Sequence, residues 1–216
     1  MNKLKLMAVS ALALATAGAN AKNFDGMYAG VRADYNIDKQ EVTDSELDSF
    51  NLKPKGMGGS ILFGYMNDLG NDMVIGTELI VGYQNAKDKG EDTAGAVTLK
   101  TTYNNKFKFG ADVLAGYKFM PELLGYGRLG LHMHQSEFRA DYTVAGETTT
   151  DSKKQYVPNV HVGLGAKYAI DESFVLDAGY TFAYDLKNKT YRSGENEATF
   201  KKSPSHQIHV GVSYVF

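Results

Sequence analysis

Apolar and polar residues alternate with a period of two along most of this chain. In residues 27–37, for example, Met27, Val31 and Tyr35 fall on one face, whereas Arg32 and Asp34 fall on the other. Such alternation predicts β-strands with one apolar and one polar face rather than helices. The pattern recurs in eight segments, which are residues 27–37, 57–66, 73–84, 107–119, 128–134, 159–170, 176–185 and 207–216.

The length and the number of these segments predict how they are arranged. A tilted β-strand needs about ten residues to cross a bilayer, and most of the segments have about that length. Only helices and closed barrels satisfy their backbone hydrogen bonds in lipid, and no apolar run after residue 21 is long enough for a membrane-spanning helix. We therefore expect an all-β fold, an eight-stranded antiparallel up-and-down transmembrane β-barrel.

The connections between the segments are of two kinds. Those near residues 67–72, 120–124 and 171–173 are short and contain Asn, Asp or Pro, residues that favour tight turns. The other four, near residues 38–56, 85–105, 136–157 and 186–205, are long and polar. This alternation predicts short periplasmic turns and four long extracellular loops.

The first 21 residues have the three parts of a secretory signal. Lys3 and Lys5 precede an uncharged, largely apolar run over residues 6–17, and Ala19 and Ala21 supply small residues before a cleavage site. The alternative, an N-terminal membrane anchor, is disfavoured because the run is shorter than the roughly 20 residues of a spanning helix. We expect a Sec-type signal peptide at residues 1–21, cleaved on export to the outer membrane, and one barrel domain at residues 22–216.

Charge and cysteine content exclude several classes of function. Without residues 1–21 the chain has 21 basic and 25 acidic residues, a balance that indicates no nucleic-acid partner. Cysteine is absent, which excludes thiol catalysis, disulfides and cysteine-based zinc sites.

The chain stops on an aromatic residue at the end of an alternating last segment. Its apolar positions are Ile208, Val210, Val212, Tyr214 and Phe216. This ending resembles the assembly signal of Gram-negative outer-membrane proteins, which the barrel-assembly machinery recognises. Residues 22–216 as a whole resemble the small OmpA/OmpX-like, porin-family β-barrels, often described as opacity-type surface antigens. The resemblance implies that outer-membrane lipid surrounds the barrel. It also implies that periplasmic chaperones and the barrel-assembly machinery are the partners of the chain during biogenesis.

The face opposite the apolar one carries charges of both signs. They are Arg32, Asp34, Glu78, Lys108, Asp112, Lys118, Arg128, Lys167 and Asp177. An eight-stranded barrel is only wide enough for its own side chains to fill, so these residues predict a lumen plugged by a charge network. Because an unpaired buried charge costs several kcal/mol, we expect Arg32, Arg128 and Lys167 to pair with carboxylates among Asp34, Glu78, Asp112 and Asp177. The alternative is a narrow passive channel for small or apolar solutes.

Catalysis, metals and cofactors have weaker support. His132, His134, His161 and His209 share the inward face, where hydrogen-bonded histidines are a simpler interpretation than a metal site, and no cofactor is expected. His134, Ser136 and Glu137 suggest a lipid-A-modifying enzyme, but the adjacent His-Ser pair typical of lipid-A deacylases is missing. The favoured hypothesis is a non-enzymatic surface barrel for membrane integrity, adhesion or host contact, in which the loops meet a host or extracellular ligand.

Overall fold

The computed structural model describes residues 24–38, 40–44, 50–52, 55–94, 97–144, 147–193, 196–200, 202 and 204–216. The predicted signal peptide at residues 1–21 lies outside the described residues. Within the described part of the chain, no helix is long and apolar enough to cross a membrane.

Twelve β-strands make up the described fold, and eight of them close into a barrel. The strands are β1 (Gly26–Asp38), β2 (Gln40–Asp44), β3 (Phe50–Leu52), β4 (Lys55–Gly70), β5 (Met73–Ala94), β6 (Val97–Met120), β7 (Leu123–Val144), β8 (Glu147–Ala169), β9 (Phe174–Asp185), β10 (Lys189–Ser193), β11 (Asn196–Phe200) and β12 (Pro204–Val215). The barrel order is β1-β12-β9-β8-β7-β6-β5-β4, with every neighbouring pair antiparallel and β4 returning to β1. The predicted eight-stranded up-and-down barrel is confirmed.

The period-two pattern separates an outer apolar face from an inner face. Large apolar side chains such as Ile61, Leu131 and Leu164 are more than half exposed on the outside. Their neighbours along the same strands, such as Ser60 and His132, are buried inside. A continuous exposed apolar surface is unfavourable in water and is the surface that a lipid bilayer solvates.

The three short turns lie together at one end of the barrel. At Asn71 and Asp72 the backbone has φ of 52° and 63°, the left-handed values that a two-residue hairpin turn of type I′ needs at both central positions. Asp171 stabilises the turn between β8 and β9 by accepting hydrogen bonds from the backbone N–H groups of Ser173 and Phe174, at 2.8 and 2.7 Å. Asx-type turns of this kind connect antiparallel strands tightly.

The four long connections are a correction to the sequence-based expectation, because much of their length is strand. β5 and β6 stay paired up to Ala94 and Val97, and β7 and β8 up to Val144 and Glu147. β6 also pairs with β7 along this extension, so β5 to β8 continue as one sheet beyond the barrel. β2, β3, β10 and β11 form a second, four-stranded sheet. These polar segments extend as strands because backbone pairing needs no apolar face.

An apolar cluster closes the turn end of the lumen. Its members are Phe24, Tyr28, Leu62, Met66, Val74, Ile80, Leu124, Ala169, Val175 and Val215. Phe24 precedes β1 and is fully buried, so the residues that enter the barrel also help to fill it. Each large apolar side chain buried here contributes about 1.5–3 kcal/mol.

Glycines on the inner face make room for the long side chains across the lumen. A Cβ atom added at Gly130 would lie 1.7 Å from Asp112 Oδ1 and 2.6 Å from the backbone oxygen of Ala111. At Gly127, on the outer face of the same strand, the nearest atom would be 3.9 Å away. Close approach is therefore required at Gly130 but not at Gly127.

Gly130→Ala is expected to lower the free energy of unfolding by about 1–3 kcal/mol, since overpacking must displace Asp112 or the backbone. Urea titration of the protein refolded in lipid vesicles, read as the fraction with folded mobility on unheated SDS gels, measures the effect. Gly127→Ala is the matched control and should unfold like the wild type. Equal stability of the two variants would contradict this account of the packing.

The last strand closes the barrel by pairing with β1, and the Phe216 N–H donates a hydrogen bond to the Met27 carbonyl oxygen at 2.9 Å. The Phe216 ring packs edge-on against Tyr214, with 5.4 Å between ring centroids. If this ending is an assembly signal, deletion of Phe216 should reduce the folded protein in the outer membrane of cells by about tenfold. Refolding of the purified variant in detergent should be nearly unchanged.

Phe174→Ala is the control for this prediction, because the Phe174 ring also packs edge-on against Tyr214, with 5.3 Å between ring centroids. The control removes a phenylalanine from the same outer surface and leaves the chain end intact. Equal losses in cells for the two variants would mean that lipid-facing aromatic area, rather than a terminal signal, determines assembly.

Candidate functional site

The lumen above the apolar cluster contains eight of the nine charged residues predicted to face inward. Arg32, Asp34, Glu78, Lys108, Asp112, Arg128, Lys167 and Asp177 are all buried. They come from six of the eight barrel strands, and the period of two turns each of them inward. The ninth, Lys118, lies apart from them near the turn end, where its ammonium is 2.5 Å from Asp68 Oδ2 and partly exposed.

Glu78 is one centre of the network, and its side chain has no exposed surface. The Arg32 guanidinium donates to Oε1 at 2.9 Å, and the Arg128 guanidinium donates to the same oxygen. The Tyr28 hydroxyl donates to Oε2 at 3.0 Å. Hydrogen bonds between ionised partners are stronger than neutral ones, so this carboxylate links three strands across the lumen.

Asp177 is the second centre. Its Oδ2 accepts a hydrogen bond from Arg32 at 2.7 Å, and its Oδ1 accepts one from the Tyr126 hydroxyl at 2.7 Å. His209 Nε2 lies 3.6 Å from the same carboxylate. Arg32 therefore bridges the two centres, since one guanidinium nitrogen contacts both Glu78 and Asp177.

Lys167 is fully buried between these two carboxylates. Its ammonium lies 3.7 Å from Asp177 Oδ2 and 3.8 Å from Glu78 Oε2, distances that favour attraction but not hydrogen bonding. The rings of Tyr28 and Tyr126 also face the ammonium, with centroids 5.1 and 5.4 Å away. Two carboxylates and two aromatic faces together stabilise the buried cation.

A further group of charged residues, around Asp34 and Asp112, lies beside the group around Glu78 and Asp177. Asp34 Oδ2 accepts hydrogen bonds from Lys108 Nζ at 2.6 Å and from the Ser60 hydroxyl at 2.8 Å. Asp112 lies 3.3 Å from the Arg128 guanidinium and 2.9 Å from His132 Nε2. Since Arg128 also contacts Glu78, it connects this group to the first centre.

The eight residues balance in charge, with four cations and four carboxylates. Each cation has a carboxylate within 4 Å, and each carboxylate has a cation within the same distance. Removing one partner of such a pair leaves a buried charge without compensation. Arg32 and Arg128 pair with carboxylates of the expected set. Which carboxylate each arginine contacts could not be assigned from the sequence.

Several residues of the lumen were missed by the sequence analysis. Tyr126 contributes its hydroxyl to Asp177, and it lies two positions before Arg128 on the same strand, so extending the alternation backwards would have found it. The Ser60 hydroxyl donates to Asp34, and Ser60 was not predicted to belong to the charge network. Nothing in the sequence marks a small hydroxyl as a partner of a carboxylate 26 residues away.

The extracellular end of the lumen contains a small polar cavity of about 40 Å³, with room for about three water molecules. His132 and His161 lie in its wall with their rings stacked, 3.8 Å between centroids. Within the described ranges, no three or more His, Asp or Glu side chains are grouped so that they could hold a metal ion.

The residues considered for catalysis lie on two faces of β7. Ser136 is buried on the lumen side, whereas the Glu137 carboxylate contacts the Lys106 ammonium on the other face, which lowers the pKa of the Glu137 carboxyl. His134 Nδ1 lies 2.7 Å from the side-chain nitrogen of Asn159, and His134 Nε2 lies 3.9 Å from Asp185 Oδ1. Glu137 is therefore not placed to orient His134 as the third member of a catalytic triad.

The chain is similar to several solved structures. Among solved structures, the chain is similar to Neisserial surface protein A, with 21% identity over 89% of this chain and 98% of that one and a TM-score of 0.46. It is also similar to the Yersinia pestis attachment invasion locus protein Ail, with 15% identity over 89% and 99% and a TM-score of 0.38. The N-terminal barrel domain of Pseudomonas aeruginosa OprF gives 17% identity over 87% and 97%, with a TM-score of 0.34.

No curated protein gives a significant match to the sequence. The family model described as "Outer membrane protein beta-barrel domain" matches residues 6–216, nearly the whole chain. The closed barrel with its apolar outer surface agrees with that match and with the resemblance identified from the sequence. The chain belongs to the outer-membrane β-barrel family and is a protein of the Gram-negative outer membrane.

Proposed function

We propose that this protein is a non-enzymatic surface barrel with a plugged lumen, which strengthens the outer membrane and presents its extracellular strands for adhesion or host contact. The observation that carries the proposal is the filled lumen. The apolar cluster occupies the turn end and the balanced charges occupy the middle. A pore would need a continuous water-filled path, and these side chains occupy the path.

The extracellular strands support the second part of the proposal. β5 to β8 extend beyond the barrel as one sheet, and their last paired residues are Ala94 with Val97 and Val144 with Glu147. The pairing of β8 with β9 ends at Asn159 and Asp185, and one further backbone hydrogen bond joins Leu186 N–H to the Pro158 carbonyl oxygen at 2.9 Å. Among the described residues, β9 pairs with no residue of β8 before that point. A strand edge of this kind can pair with an added strand of another protein.

Glu78→Gln tests whether the charge network stabilises the plug. The substitution preserves side-chain shape but removes the charge that compensates Arg32, Arg128 and Lys167. We expect the free energy of unfolding to fall by about 3–5 kcal/mol, as when one partner of a buried pair is removed. Urea titration in lipid vesicles, read by gel mobility, measures the change.

Two further variants give this experiment its controls. Glu122→Gln changes an exposed glutamate in the turn between β6 and β7 and should shift stability by less than about 0.5 kcal/mol. Glu78→Gln combined with Lys167→Met restores the balance of charge and should recover part of the loss. If Glu78→Gln is as stable as Glu122→Gln, the network does not stabilise the fold.

Single-channel recording in a planar bilayer tests the plugged lumen directly. The wild type should give no steady openings. A paired variant, Glu78→Ser with Arg128→Ser, removes two long side chains of opposite charge from the middle of the lumen and should raise the conductance. Steady openings of the wild type, as large as those of the paired variant, would favour the narrow passive channel instead.

A further inference from the structure

Three of the five histidines of the chain line the cavity at the extracellular end of the lumen. We call this cavity the mouth pocket, and its wall includes Lys108, His132, His134, Asn159, His161 and Gln207. Imidazole is the side chain that ordinarily changes charge between pH 5 and 8, so the charge of this pocket depends on pH in that range. The ion pairs of Glu78 involve only arginine and lysine and do not need these histidines.

His132 and His161 are stacked face to face in the wall of the mouth pocket. Their ring centroids are 3.8 Å apart, and their planes differ by 18°. The stack joins β7 to β8 inside the barrel, because His132 lies opposite Asn159 and His161 lies opposite Gly130 in the register of these strands. Neutral rings are stable at this distance, whereas two imidazolium ions in a buried site repel each other strongly. The stack can therefore take up one proton but not two.

The two rings differ in the partners that compensate a charge. His132 Nε2 lies 2.9 Å from Asp112 Oδ1, so a carboxylate compensates a proton added to His132. The His161 side chain makes no hydrogen bond and no ion pair with any residue in the described part of the chain. It is 9% exposed and lines the mouth pocket, so the open surface of its ring faces the cavity. A proton added to His161 would be a buried charge without a carboxylate beside it.

Cationic groups surround the His161 ring. Those that act on it most strongly are Lys108 on β6 and Arg128, His132 and His134 on β7. Each positive charge among them repels a proton on His161. Burial in the lumen removes most of the water that would screen this repulsion.

The carboxylates at the mouth face other groups. Asp185 of β9 lies 3.9 Å from His134 Nε2, and Asp38 of β1 accepts a hydrogen bond from the Ser205 hydroxyl. The wall residues that come from β5 and β12 are uncharged. Over the ranges that the structure describes, no strand around the pocket places a carboxylate within ion-pair distance of the His161 ring.

We propose that His161 is an acid-sensitive latch, which joins β7 to β8 at the mouth while it is neutral and releases His132 when it takes up a proton. Acid in the external solution first protonates His132, whose charge Asp112 compensates, and then His161. The second proton separates the rings, because two like charges 3.8 Å apart repel each other. The His161 ring then turns into the mouth pocket, where about 40 Å³ of space admits water around the charge. The pocket widens toward the external solution while the ion pairs below it stay intact.

NMR of the full barrel in detergent micelles tests the latch directly. The histidine rings carry carbon-13 and nitrogen-15, and the pH is lowered from 8 to 5. We expect nuclear Overhauser contacts between the His132 and His161 rings at pH 8. At pH 5 both rings should be protonated and these contacts should be at least about tenfold weaker. Contacts between Leu123 and Tyr168, which pair at the turn end of the same two strands, should keep their intensity. Rings that stay stacked at pH 5 would overturn the proposal.

The latch also predicts how stability depends on pH. An imidazole in an unfolded chain takes up a proton near pH 6.5, whereas the folded stack has no carboxylate for a proton on His161. The stabilising effect of neutral His161 is therefore complete above about pH 6.5 and is lost as the pH falls below it. The experiment is urea titration in lipid vesicles at pH 7.5 and pH 5. Over this interval the unfolding equilibrium constant should rise about tenfold more for the wild type than for His161→Phe, which keeps a stacking ring without a proton site.

Two further variants complete this experiment. His161→Gln also removes the proton site and serves if His161→Phe does not fold. His206→Gln is the matched control, since His206 lies outside the lumen, where its Nδ1 is 2.6 Å from the Tyr180 hydroxyl oxygen. It should keep the pH dependence of the wild type. The proposal fails if His161→Phe keeps that dependence, or if His206→Gln loses it to the same extent as His161→Phe. None of these outcomes depends on whether the lumen conducts ions or the external strands bind a partner.

Discussion

The closed ring of eight strands is the constraint on which the rest of the structure depends. Lipid offers no partner for backbone N–H and C=O groups, so every strand must pair on both sides and the sheet must close. With eight strands the interior is only wide enough for side chains. The side chains that point inward must then fill most of the space and satisfy most of one another's polar groups.

Charge balance follows from this narrow interior. Glu78 and Asp177 lie where side chains from several strands meet, and each carboxylate contacts more than one cation. Arg32 contacts both of them, so a side chain displaced at one centre also disturbs the contacts of the other. The inner glycines make this arrangement of charges possible, since Gly130 provides the space that Asp112 occupies. Packing and electrostatics in the lumen therefore cannot be changed independently.

Much of the fold was predictable because the two faces of a barrel strand meet different solvents. The period of two gave the number of strands, their faces and the inward position of Glu78 and Lys167. The pairing of Arg32 with Asp177 was not predictable, since these residues are 145 positions apart and meet only through the stagger of the strands. The alternation also placed Lys118 inward, but at its level the barrel ends and Asp68, near the end of β4, is within reach.

The strands beyond the membrane escaped prediction for a related reason. In lipid a strand must show an apolar face, whereas in water either face can be polar, so β5 and β6 continue without an alternating signal. The lumen changes character along the same axis. Its turn end is apolar around Tyr28, its middle is ionic around Glu78, and its mouth is lined mostly by polar residues such as Asn159. The cavity of about 40 Å³ lies in this polar layer, so the chemistry of the inward side chains changes along the axis together with how completely they fill the lumen.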